Sequence, residues 1–201
     1  MMLIDCIYNI NTGPNGPEVQ MALLEILEIE INHNPSLIKN QTMLNTLTIL
    51  TNTTHEIVKS FVYTLLSALP TIAATNQILD VNYHTYSLAF TYYNENVETE
   101  NHRFEHLVEG LWNESSVQLK QSVLGLVNML ICSCQELSNR VELRKEFTEL
   151  GILDAFKKLK KLKNIQLLDQ MEFFKSEMNS DEEKQGSLSS RHRAAFRGEF
   201  D

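Results

Sequence analysis

Between Val117 and Cys132 the chain places an apolar residue on nearly every side of a helical wheel: Val123, Leu124, Leu126, Val127, Met129, Leu130 and Ile131. A helix of that kind is stable in water only when other elements surround it. The rest of the chain supplies amphipathic helices to do so. After the turn-rich stretch 12–16, Pro17 suits a first helical turn, and Leu23, Leu24, Leu27 and Ile31 form one apolar stripe that stops at His33-Asn34-Pro35. Met43, Leu44, Leu47 and Leu50 form a second stripe. Ile57, Val58, Phe61, Leu65, Leu66 and Leu69 form a third over 55–72, which Pro70 should kink or end early. An aromatic-rich helix is expected over 78–92, followed by a polar connector over 94–101.

Phe104, Leu107, Val108, Leu111 and Trp112 make the next amphipathic face, and Ser115 or Ser116 can cap the helix that begins at Val117. A further helix over 136–150 ends at Gly151, placed as a C′ glycine. Two more follow, with Phe156 and Leu159, then Leu167, Leu168, Met171 and Phe174 facing inward. No strand-like alternation of useful length occurs. Nine or ten helices in units of about 40 residues have the period of an armadillo-like helical-repeat solenoid, so the expected class is all-α. Residues 1–178 read as that domain. Residues 179–201 lack a core pattern and read as a disordered tail.

Charge and composition exclude several functions. Lys and Arg total 17 against 26 Asp and Glu, a formal charge of −9. That sign disfavours a nucleic-acid or anionic-lipid surface. The first residues lack a basic, apolar secretory pattern, and no stretch reaches the roughly 18 uncharged apolar residues of a membrane span. Cys6, Cys132 and Cys134 fit no disulfide or zinc framework and read as buried thiols in a reducing compartment, so the chain reads as cytosolic. No glycine-rich phosphate loop or nucleophile elbow occurs.

His102, Glu105 and His106 match the H-x-x-E-H zinc-hydrolase spacing, which on a helix would put both imidazoles on one face with Glu105 as base. A third protein ligand is missing from the pattern, and the favoured reading is polar side chains facing water at a helix start. The run from Lys157 to Lys163 reads as lysines at a helix C-terminus, with Leu159 and Leu162 packing inward. Neither an enzyme nor a cofactor is expected.

One segment is more specific. It runs from Arg103-Phe104-Glu105-His106-Leu107 through Leu126-Val127-Asn128-Met129-Leu130 to Glu136-Leu137-Ser138-Asn139-Arg140-Val141-Glu142-Leu143-Arg144-Lys145-Glu146-Phe147 and Leu150-Gly151. It resembles the N-terminal regulatory region of diaphanous-related formins, and Leu65-Leu66-Ser67-Ala68-Leu69 is similar to a helix upstream in that family. The resemblance extends over roughly 3–175. It implies an armadillo-repeat inhibitory domain whose concave face holds an amphipathic helix from the protein's own C-terminus. A Rho-family GTPase would release that helix, and actin would be affected only indirectly.

Carried over by position, the groove would use Asn32, Leu65, Ala68, Thr71, Leu124, Val127 and Asn128. Plain core packing remains the alternative for Leu65, Leu124 and Val127. The resemblance has two departures. The chain begins at what looks like the family's second repeat, without the GTPase-binding segment, and Pro70-Thr71 stands where the family has apolar or sulfur-containing residues. A generic helical-repeat scaffold with another partner is the rival reading.

Overall fold

The computed structural model describes residues 2–9, 16–78, 83–97, 102–114 and 116–197. Ten α-helices occur among them: α1 (Met2–Asn9), α2 (Gly16–His33), α3 (Gln41–Leu50), α4 (Glu56–Thr75), α5 (Tyr83–Asn96), α6 (Glu105–Asn113), α7 (Val117–Cys132), α8 (Leu137–Glu149), α9 (Ile152–Leu159) and α10 (Ile165–Arg197). Short 3-10 turns cover Pro35–Lys39 and Lys160–Leu162. No strand occurs among the described residues. The expected turn at 12–15, the connector over 98–101 and a cap at Ser115 lie outside the described residues.

Local chemistry sets the helix ends. Asn40 accepts a hydrogen bond from the Met43 amide at 3.1 Å, and Ser116 accepts from the Leu119 amide at 3.3 Å. Asn164 accepts from the Leu167 amide at 3.0 Å to start α10. Each side chain satisfies an amide that has no partner inside its helix. Gly151 takes φ +89° and separates α8 from α9, as a C′ glycine must.

The helices form an armadillo-like two-layer array. In one layer α2, α4, α7 and α10 lie side by side in that order. Behind them α3 packs on α4 and α5, and α6 packs on α7 and α9. α8 closes the far end against α7, α9 and α10. The all-apolar helix α7 sits at the centre, touching α4, α5, α6, α8 and α10, and buries Val123, Leu124, Leu126, Val127, Leu130 and Ile131.

Several expectations are corrected. Pro70 does not end α4, which runs five residues further with Ala73 buried on that last stretch. α4 is also long and apolar enough to match a membrane span by length and composition, contrary to the sequence reading. Its apolar residues are spent on packing: Val58, Val62, Leu65, Leu66 and Leu69 are buried between α2, α3 and α7. α5 begins at Tyr83.

The break expected at 179 is absent. α10 continues to Arg197, and Asp181 is only 1% exposed. Cys134 is buried, but Cys6 and Cys132 are exposed. Leu162 is 46% exposed rather than packed inward, because the α9 stripe ends at Leu159.

Candidate helix-binding groove

The residues that carried the sequence resemblance are mostly joints of the scaffold. Arg103 donates to both carboxylate oxygens of Glu146, at 3.0 and 2.8 Å, and also to Ser87 and Tyr83. The ring of Phe104 lies 4.9 Å from that of Phe147 and 5.1 Å from that of Phe90. Arg-Phe on one repeat thus meets Glu-Phe on the next. Arg140 donates to Asp181 at 3.1 and 3.0 Å and to the carbonyls of Cys134 and Gln135, while Arg144 donates to Asp181 at 2.8 Å. These bonds tie the end of α7, the face of α8 and the body of α10 together.

The H-x-x-E-H spacing does not form a metal face. α6 starts at Glu105, so His102 precedes the helix and is exposed. His106 turns the other way. It is 7% exposed, its Nε2 lies 3.0 Å from the Thr51 hydroxyl, and its ring packs on Phe90 and Tyr93. The expectation that both histidines face water is therefore corrected for His106. His102 and Glu105 instead line an open cleft of about 570 Å³ with Glu109, Trp112 and Glu146. No group of metal-ligating side chains occurs among the described residues.

The seven expected groove residues separate into three sets. Ala68 is half-buried and Thr71 exposed, one turn apart on α4. With Thr64 and Thr75 they make an open face of small, uncharged side chains along that helix. Leu65, Leu124 and Val127 are 3%, 0% and 0% exposed. They belong to the α4–α7 core and floor the surface rather than line it. Asn32 is exposed near the end of α2, on the neighbouring helix of the same layer. Asn128 is buried and donates to the Gln170 carbonyl at 3.2 Å, so the chain's own α10 already engages it.

Along α7, Ser122, Gly125 and Met129 are half-exposed and Cys132 is exposed. The α4 and α7 faces converge at their C-terminal ends on a cleft of about 410 Å³, lined by Pro70, Thr71, Ala74, Tyr86, Met129 and Cys132 among others. None of its lining side chains is charged. Tyr86, Met129 and Cys132 were not among the expected site residues. Met129 and Cys132 follow Asn128 on the same helix and were legible by spacing. Tyr86 enters from α5, which nothing in the sequence places beside α7. Burial pushes the Tyr86 phenol well above its ordinary range, so it stays neutral.

An uncharged surface with small side chains on one wall and an apolar floor suits close approach of another helix. Residues 84–196 match the family model described as the Diaphanous FH3 Domain. Inverted formin-2 of Xenopus laevis is 31% identical over 133 residues, which cover 66% of this chain and 12% of that protein. Formin-D of Dictyostelium discoideum is 30% identical over 152 residues, or 75% of this chain and 12% of that protein. Protein diaphanous homolog 2 of Homo sapiens is 34% identical over 79 residues, 39% of this chain and 7% of that protein. The chain therefore spans about a tenth of the length of these relatives.

Proposed function

The chain belongs to the diaphanous FH3 family and corresponds to the N-terminal region of diaphanous-related formins, and from that premise we propose that it is a regulatory binding module without catalytic activity. Its open α4–α7 face holds an amphipathic helix from a formin C-terminus. A Rho-family GTPase releases that helix, and actin filament assembly is controlled through the exchange in the cytoplasm. The observation that carries this reading is the small, uncharged strip of Thr64, Ala68, Thr71 and Thr75, with Ala68 and Thr71 at its centre. A helix backbone can come close only where side chains are short, and apolar anchors of the partner then pack beside this strip against half-exposed Met129 of α7.

The test is fluorescence anisotropy of a labelled formin autoregulatory peptide titrated with this protein. Saturable binding is expected at micromolar concentration or tighter. Ala68→Asp places a charge among apolar contacts and is expected to weaken binding at least tenfold, about 1.4 kcal/mol. Unchanged binding by a folded Ala68→Asp variant would overturn the groove. Absence of binding by the folded wild-type protein would favour a scaffold with another partner.

A further inference from the structure

The cleft where α4 and α7 end contains a buried polar group with nothing to bind. Tyr86 is 3% exposed and lines this cleft, and its hydroxyl has no hydrogen-bond partner among the described residues. Buried hydroxyls are seldom left so, because each loses its bonds to water without replacement. The surroundings narrow what could complete it. The walls carry no charge, so an inserted lysine, arginine or carboxylate would stay unpaired. Both α4 and α7 deliver their C-terminal ends here, and the negative ends of their dipoles repel an anion. A neutral group that accepts from Tyr86 satisfies the hydroxyl without bringing a charge into the cleft. A side-chain carboxamide or hydroxyl does this.

We propose that this cleft is the specificity pocket of the helix-binding face, and that it receives a neutral hydrogen-bonding side chain of the docked amphipathic helix, whose polar atom bonds the Tyr86 hydroxyl. The inference rests on the helix-binding reading above and adds which part of the surface selects the partner. Thr71 belongs to both the open α4 face and the cleft lining, so one helix lying along α4 reaches the pocket without a bend. Exposed Cys132 stands on the same lining and reports occupancy.

The experiment combines two readouts on the full chain. The labelled autoregulatory peptide is titrated against wild type and Tyr86→Phe. Separately, maleimide alkylation of Cys132 is timed by peptide mass mapping in the free and the peptide-saturated protein, with exposed Cys6 as the control. Tyr86→Phe removes only the orphan hydroxyl, so its melting temperature should equal or exceed that of wild type. Its affinity should fall about fivefold, the worth of one net hydrogen bond. Cys132 should react at least tenfold more slowly in the complex, while Cys6 should not change.

Equal affinity of wild type and Tyr86→Phe overturns the pocket and leaves the groove standing. Absence of wild-type binding removes both. If Tyr86→Phe does not fold, Cys132 decides: protection supports the pocket, and alkylation at the free rate overturns it.

Discussion

At Asp181 one carboxylate meets Arg140 and Arg144 at 3.0 and 2.8 Å, with Lys184 at 3.8 Å, and the carboxylate and the Arg144 head are almost wholly buried. Breaking one partner of such a group leaves the rest charged and unpaired, which costs about 3–5 kcal/mol. Asp181→Ala is therefore expected to lower the unfolding free energy by that amount, read as a lower urea midpoint at unchanged slope. The pH response follows from the same bonds. The hydrogen bonds from Arg140 and Arg144 outweigh burial and hold the carboxyl at about 2. The folded value lies below the unfolded one of about 3.9, so this stabilisation is complete above the unfolded value. It is lost as pH falls through roughly 4 to 2. Stability of wild type measured across that window should drop more steeply than that of Asp181→Asn, and parallel curves would disprove the assignment. Asp181 was invisible in the sequence because its neighbours 179–187 carry no apolar side chain, and only the approach of α8 turns one of them into a buried ion.

At the scale of the element, glycine and proline act in opposite ways. Gly151 holds φ +89° in open space, with nothing within 4 Å of an added Cβ. Gly151→Ala therefore incurs only the left-handed backbone penalty, on the order of 1 kcal/mol, and thermal melting should register it without loss of helix content. Pro70 lies inside α4 yet the helix continues to Thr75. Proline in a helix interior is unfavourable by about 3 kcal/mol relative to alanine. Pro70→Ala should raise the melting temperature and close the Leu66 carbonyl into the ladder. An unchanged or lower melting temperature would mean that the ring's own packing matters more than the lost bond. Of the two outcomes expected at Pro70, a kink or an early end, the early end does not occur, since α4 continues to Thr75 with Ala73 buried. The Gly151 boundary was legible because glycine is the residue that takes a positive φ at least cost, although Gln77 and Lys163 adopt one here as well.

At the scale of the molecule, α2, α4, α7 and α10 form a ladder in which each helix touches the next. The last rung is α10, and it depends on residues beyond 178. A chain ended at Met178 keeps Arg140 and Arg144 but loses Asp181, leaving two guanidinium groups without their carboxylate. It should unfold at lower urea by at least as much as Asp181→Ala, and hydrogen exchange should show loosening confined first to α10 and α8. Equal stability of the truncated and full chains would restore the domain boundary at 178. Because Asn128 is bonded to α10, truncation should also disturb the α7 side of the groove before the α4 side.

The sequence by itself determined the helical class, the central place of α7 and the positions of most helix ends. These follow from apolar periodicity, capping side chains and glycine geometry, all of which act within a few residues of chain. It also carried the family signature, and the residues that carry it, Arg103-Phe104 and Arg140 to Phe147, are joints between the repeats of this chain. The tertiary structure alone decided which apolar residues of the expected groove lie open. Leu65, Leu124 and Val127 look alike in sequence to groove anchors, but α4 and α7 press them together as core. It alone turned His106 into the core toward Thr51, away from His102, and brought Tyr86 from α5 to the cleft between α4 and α7. The reason is common to these cases: helical spacing fixes the direction of a side chain about its own axis, and only the packing of other helices decides whether that direction is solvent, core or site.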